Sequence, residues 1–196
     1  MYHSGKHTFR YTVMGARVDC IDEEVLKNLQ DTNCKSLWFG IESGSDRILN
    51  QIGKSFTVAE AEERLRLASR YISQVVGSFI VGFPFEDYRD FEQTCDFSQR
   101  LYGHGADVFI NFLRPQNGTR IYRVYSGLLK YLDSDLVISP QPLTDAEKDR
   151  IKSNSEIYSW YHTYETPNLA EKMSALKRLK EGQPLRTDER KKLLEG

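Results

Sequence analysis

The sequence predicts an α/β fold built on a parallel sheet, and three observations predict it. Apolar runs of strand length alternate with amphipathic segments of helical period. The runs pass into loops rich in glycine and polar residues: Gly40-Ile-Glu-Ser-Gly-Ser-Asp46, Gly82-Phe-Pro84 and Arg114-Pro-Gln-Asn-Gly-Thr119. Those loops therefore stand at the C-terminal ends of strands, the edge at which such sheets bind ligands.

The elements follow in order. Thr8 to Met14 carries the β-branched and aromatic residues of a short strand. Asp22 is a good N-cap for a helix whose stripe is Val25, Leu26 and Leu29, with Glu23 and Glu24 at its positive end. Lys35 to Ile41 is a continuous apolar strand of the kind covered on both faces. Ser45 caps a short helix to about Ile52, and Thr57 a longer one lined by Ala61, Leu65, Ala68 and Ile72. Val75 to Val81 is the next buried strand, followed by a helix from Tyr88 to Tyr102 with Phe91, Cys95, Phe97 and Leu101 inside. Asp107 to Leu113 completes a β-α-β-α-β-α-β order, which implies parallel strands joined by crossovers.

Beyond Thr119 the pattern turns helical. Helices are expected over 121–132, from the cap Thr144 to about Tyr164, over 168–180 and over 187–194. The proline-punctuated stretch 139–142 separates the first two. Tyr158, Trp160, Tyr161 and Tyr164 sit at helical spacing and read as a packing seam rather than a stacking platform.

Composition narrows the function classes. A chain of 196 residues with 39% hydrophobic content can bury one sizeable core. A net charge of -1 argues against a protein that grips a phosphate backbone or an anionic membrane. No run reaches the ~20 apolar residues of a membrane span, and the start does not read as a signal peptide, so a cytoplasmic location is expected. Cys20, Cys34 and Cys95 are odd in number and far apart, and the four histidines are scattered, so no metal site is expected from this chain alone. No catalytic residue stands out.

The first strand follows only a few polar residues and would be an unprotected sheet edge. That predicts a piece of a longer chain and self-association through the open edge.

The series Ala16-Arg-Val-Asp19, Phe39-Gly-Ile-Glu-Ser-Gly-Ser45, Ile52-Gly-Lys54, Ser78-Phe-Ile-Val-Gly-Phe-Pro84 and Arg114-Pro-Gln-Asn-Gly-Thr119 resembles the second half of a radical S-adenosylmethionine (SAM) enzyme core. The methylthiotransferase-like and cobalamin-binding groups are the most similar. The resemblance runs from about Arg10 to Tyr125, and it implies a partial TIM-like (β/α) barrel with about four parallel strands and crossover helices. Residues 1–125 would form that half barrel and 126–196 a C-terminal helical extension.

In the family, a Cys-x-x-x-Cys-x-x-Cys loop holds a [4Fe–4S] cluster that cleaves SAM reductively to a 5′-deoxyadenosyl radical. This sequence has neither that loop nor the Gly-Gly-Glu-like motif for the SAM amino group. The resemblance therefore implies an isolated chain that is inactive, holds no cluster and supplies part of the SAM and substrate cradle. It also allows a cobalamin-binding domain ahead of the core, and it leaves the substrate unknown.

Residue by residue, the resemblance places Glu42 on the ribose or methionine of SAM, with capping of the helix after Ser45 as the alternative. It places Lys54 on the SAM carboxylate, against plain solvation. Arg17 would face cofactor or substrate, against an ion pair with Asp19, Asp22 or Glu42. Gly77, Ser78 and Gly82 would border adenosine, with glycine admitting a flat ring and Ser78 bonding a ribose hydroxyl. Asn111 begins the segment that packs on adenine. A non-catalytic module of the same fold, binding a nucleotide or a partner, is the alternative function.

Overall fold

The computed structural model describes residues 9–132 and 143–180. Strand β1 (Tyr11–Ala16) leads to α1 (Glu23–Asp31), β2 (Cys34–Glu42), α2 (Asp46–Gln51) and α3 (Val58–Ala68). Then come β3 (Gln74–Val81), α4 (Tyr88–Gly103) and β4 (Asp107–Phe112). The sheet order is β1-β2-β3-β4, with β1 parallel to β2 and β2 parallel to β3. Strand order equal to chain order with a helix in each gap is the α/β arrangement the sequence predicted.

Local chemistry starts each helix where the sequence suggested. The Asp22 carboxylate accepts from the Val25 amide at 2.8 Å, and Ser45 Oγ from the Ile48 amide at 3.4 Å. Thr57 and Glu60 close a reciprocal capping box on α3, satisfying amides that a helix start leaves open.

The described residues fall into two compact units, within 1–79 with 92–110 and within 80–91 with 111–196. In the first, Leu37, Phe39, Ile41, Val75 and Phe79 are buried, as are Leu26, Ala61, Leu65, Phe97 and Leu101 of the helices. Phe79 meets Phe97 edge to face at 5.7 Å. Each such ring removed from water stabilises by about 1.5–3 kcal/mol.

Strand alternation puts Ser36, Trp38 and Gly40 on the other face of β2, where Ser36 lies opposite Gln74, Trp38 opposite Val76 and Gly40 opposite Ser78. This face is less covered: Met14 is 71% exposed, and Trp38 meets the exposed Phe109 at 5.7 Å.

The second unit differs from the expected helices. The segment 121–132 is a short helix α5 (Arg120–Tyr125), a 3-10 turn and a strand β5 (Leu129–Tyr131). The helix from Thr144 ends early as α6 (Asp145–Ser153) and is followed by a 3-10 turn and a strand β6 (His162–Tyr164). β5 and β6 pair antiparallel, Leu129 opposite Tyr164 and Tyr131 opposite His162.

The early stop has a local cause. Ser153 Oγ and Asn154 Nδ2 donate back to the Asp149 and Arg150 carbonyls, competing with the helix at its end. Helix α7 (Leu169–Lys180) lies where the sequence placed it, and the expected helix over 187–194 falls outside the described residues. The aromatic seam is not helical either. Trp160 lies in a 3-10 turn and is 50% exposed, while Tyr164 is fully buried in β6.

Candidate functional site

The end of β2 has an unusual backbone. Glu42 has φ +77°, a left-handed conformation that non-glycine residues rarely take, and the β2–β3 register shifts between Gly40 and Glu42. The bulge folds the Glu42 carboxylate back over Gly40, where a Cβ would lie 2.9 Å from Glu42 Oε1. Lys54 then donates to the Gly40 carbonyl at 2.9 Å and to Glu42 Oε1 at 3.3 Å. Its ammonium rests 5.8 Å from the Phe56 ring centre. Both charged side chains are only about a fifth exposed (20% and 23%), so the pair is partly withdrawn from water.

Two expected residues thus meet in one pair, and the alternative of Glu42 as a helix cap does not hold, because Ser45 fills that role. Ser78, half-buried, lies beside Gly40 in register on the same face.

Arg17 follows its ion-pair alternative. It clamps Asp19 through two bonds of 3.0 and 2.7 Å, and Ser55 donates to the same carboxylate at 2.6 Å. Arg17 and Ser55 hold the Asp19 carboxyl well below the usual carboxylate range. The motif ends Arg-Val-Asp and Gly-Lys-Ser are therefore joined by this clamp.

Gly77 departs from its expected reason. A Cβ there would lie 3.2 Å from Ile41 Cδ1 and from Leu101 Cδ1, so the residue makes room for the core rather than for a ring. Gly44 shows the same logic more strongly. Its missing Cβ would stand 2.5 Å from the Gln93 carbonyl oxygen, and Thr94 Oγ1 accepts from the Gly44 amide at 2.9 Å. The Ser-Gly-Ser loop is close-packed on α4, which sequence alone did not reveal.

In the second unit, Gly82 has φ +83° at the end of β3. Its amide is committed within the chain, donating to both Glu86 carboxylate oxygens at 3.1 Å. Glu86 in turn meets Lys172 Nζ at 2.9 Å, and both side chains are wholly buried. Sequence reading missed this pair, since the partners are 86 residues apart. Asn111 is half-buried near the end of β4. In the loop that follows, Gly118 takes the left-handed position (φ +88°), and Thr119 caps α5. Arg114 donates to the Trp160 carbonyl at 3.2 Å, and burial pulls its guanidinium below the ordinary range.

Cysteine chemistry does not suit a cluster in the described residues. Cys20 is exposed, whereas Cys34 and Cys95 are buried in β2 and α4. No group of three or more His, Cys, Asp or Glu side chains among the described residues is arranged to hold a metal ion.

The family model of the radical SAM superfamily matches residues 2–98. The chain belongs to the radical SAM superfamily. Among curated relatives, an uncharacterised methyltransferase of Pyrococcus horikoshii is 32% identical over 144 residues, 69% of this chain and 31% of that protein. A tRNA-2-methylthio-N(6)-dimethylallyladenosine synthase of Sulfurihydrogenibium sp. is 36% identical over 141 residues, 70% of this chain and 30% of that protein. The chain thus spans less than a third of the length of these relatives.

A solved structure of the radical SAM methyltransferase TsrM from Kitasatospora setae, with cobalamin and a [4Fe-4S] cluster bound, superposes with a TM-score of 0.59 at 16% identity. It covers 85% of this chain and 35% of that one. That likeness concerns the fold, and it makes the four-stranded sheet with its helices a partial TIM-like barrel of the radical SAM type. No helix among the described residues is long and apolar enough to cross a membrane.

Proposed function

We propose that this chain forms part of the SAM- and substrate-binding barrel of a radical SAM enzyme, one that transfers a methyl or methylthio group as its named relatives do. The observation that carries the reading is the charged bulge at the end of β2, where Glu42 keeps a strained backbone and Lys54 bridges it to Gly40. Strain held at a strand end on the ligand-binding edge of a parallel sheet is a mark of function.

SAM presents an amino acid zwitterion and a ribose diol. Lys54 offers an ammonium to the carboxylate of the first, and Glu42 and Ser78 offer acceptors to the hydroxyls of the second. Asn111 and the Gly82 segment would flank the adenine. The three scattered cysteines of this chain do not make a cluster loop, so the ligands would come from residues outside it, and the isolated chain is inactive and binds SAM weakly. Cobalamin enters only if a further domain of the whole protein carries it.

The test uses the intact protein that carries this chain, reconstituted anaerobically with iron and sulfide, reduced, and given SAM. Formation of 5′-deoxyadenosine, diminished in Glu42→Ala and Lys54→Ala, is the expected result. An iron-loaded protein that forms none would overturn the reading. Stoichiometric iron and sulfide on the isolated chain would overturn its dependence on residues elsewhere.

A further inference from the structure

The Glu86–Lys172 pair is the strongest feature that the proposed site leaves unused. Both side chains are wholly buried, although either charge alone in such a place is heavily penalised. Buried ion pairs add little net stability over apolar residues of the same shape, so stability by itself is a poor reason for one.

The geometry suggests another. Lys172, on α7, donates to the Glu86 carboxylate at 2.9 Å and to the Glu86 carbonyl at 3.2 Å, with its ammonium 6.0 Å from the Phe91 ring centre. The carboxylate accepts the Gly82 amide with both oxygens, and the Glu86 amide donates to the Phe83 carbonyl at 2.9 Å. The Gly-Phe-Pro turn is thereby closed into a ring, and one ammonium from the far end of the chain holds the ring in place. The exit from β3 has no slack to absorb a change. A Cβ on Gly82 would lie 2.9 Å from Phe112 Cδ1, and the left-handed φ strains any other residue placed there.

We propose that Glu86 and Lys172 are positioning residues: through the Gly82 amide they set the shape of the β3 exit, and so make the C-terminal helix α7 a determinant of SAM binding. The effect on SAM rests on the function proposed above, whereas the effect on Gly82 does not. Burial pushes the Glu86 carboxyl up from its ordinary range, with Lys172 and the Gly82 amide opposing, which leaves the pair dependent on its own contacts.

The experiment uses the intact protein with glycine amides labelled by 15N, comparing the unmodified form with the double variant Glu86→Gln/Lys172→Met. The double variant removes both charges at nearly constant volume and leaves no unpaired ion. The expected result is a folded protein whose Gly82 amide resonance moves and whose hydrogen exchange is about a hundredfold faster. Its SAM dissociation constant, read by calorimetry, rises about tenfold, within the usual range of coupling between two sites.

Lys172→Met alone is the second variant. Glu86 then sheds its unpaired charge by taking up a proton and still accepts from the Gly82 amide, and intermediate values of both quantities are expected. A merely structural pair would lower the melting temperature while leaving the Gly82 amide and the SAM affinity unchanged, and that result in either folded variant overturns the proposal. If the unmodified protein binds no SAM, the function reading fails, and the Gly82 resonance still decides whether the pair positions the turn.

Discussion

Lys54 and Glu42 meet at 3.3 Å over a glycine, and the glycine is part of the contact. The Glu42 carboxylate occupies the space where a Gly40 side chain would be. In Gly40→Ala the added methyl meets the mobile end of Glu42 rather than backbone, so the chain stays folded while the carboxylate swings off Lys54. Glu42→Gly relieves a left-handed backbone worth about 1–2 kcal/mol and removes the charge partner. Both variants are expected to keep a near-normal melting temperature in the intact protein while losing SAM affinity by calorimetry. Unchanged affinity in both would detach this bulge from the ligand.

Gly44 and Gly103 make an opposed pair for testing the packing account. Gly44→Ala drives a methyl against the Gln93 carbonyl and Thr94 Cα on the backbone of α4. Overpacking of this kind costs about 1–3 kcal/mol, and rigid backbone puts it at the upper end. Gly103→Ala, at the last residue of α4, meets nothing within 4 Å and is expected to be neutral or to stabilise by about 0.4–1 kcal/mol. Denaturant midpoints of the two variants give the comparison directly.

Tyr164 titrates late. Burial, with a smaller contribution from Tyr122, pushes its phenol up to about 12 from 10.0. A raised acid favours the protonated fold, so its contribution is fully present below pH 10.0 and is lost as pH rises towards about 12. An ultraviolet titration of tyrosinate should show a late step that is lost in Tyr164→Phe, beside that of Tyr71, whose phenol its hydrogen bond to Glu23 also raises. The hydroxyl has no hydrogen-bond partner among the described residues, so that variant should melt no lower than the unmodified chain.

The Asp19 clamp contributes to the acid limb, beside Glu23, Glu60 and Glu147, whose carboxyls are also lowered. Its carboxyl lies below the ordinary 3.8, so its contribution is present above that value and is lost as pH falls through the lower folded value. Asp19→Asn should flatten the loss of stability below about pH 4, measured by melting at stepped pH. The Asp19 side chain is 28% exposed and its Arg17 partner 55%, so water and salt screen the pair and the change should be modest and weaker in high salt.

Among the described residues, strand β1 pairs on one side only within the sheet. Light scattering at rising concentration is expected to show the isolated chain associating, and Met14→Lys, which adds a charge beside that edge, to reduce it. A strictly monomeric unmodified chain would contradict the edge account.

Much of the first 112 residues was legible in the sequence because its signals are local. Strand runs such as Lys35–Ile41 and Val75–Val81, and caps such as Asp22, Ser45 and Thr57, act over one helical turn or along one strand, and the structure keeps them. The β5–β6 ribbon was not legible. Its three-residue strands are too short to carry a period, and they exist because segments distant in sequence satisfy each other's backbone, the Glu165 amide donating to the Leu128 carbonyl at 2.6 Å and the Leu132 amide to the Tyr161 carbonyl at 2.9 Å.

The candidate site divides the same way. The sequence by itself determined which loops end the strands and which residues they carry, since those follow from element order. Tertiary structure decided what each residue does there. It turned Arg17 to Asp19, drew Lys54 onto Glu42 and Gly40, assigned Gly44 and Gly77 to packing, and closed the Gly82 turn with a lysine from α7. These outcomes depend on which groups come within about 3 Å, a matter of three-dimensional distance that no local pattern encodes.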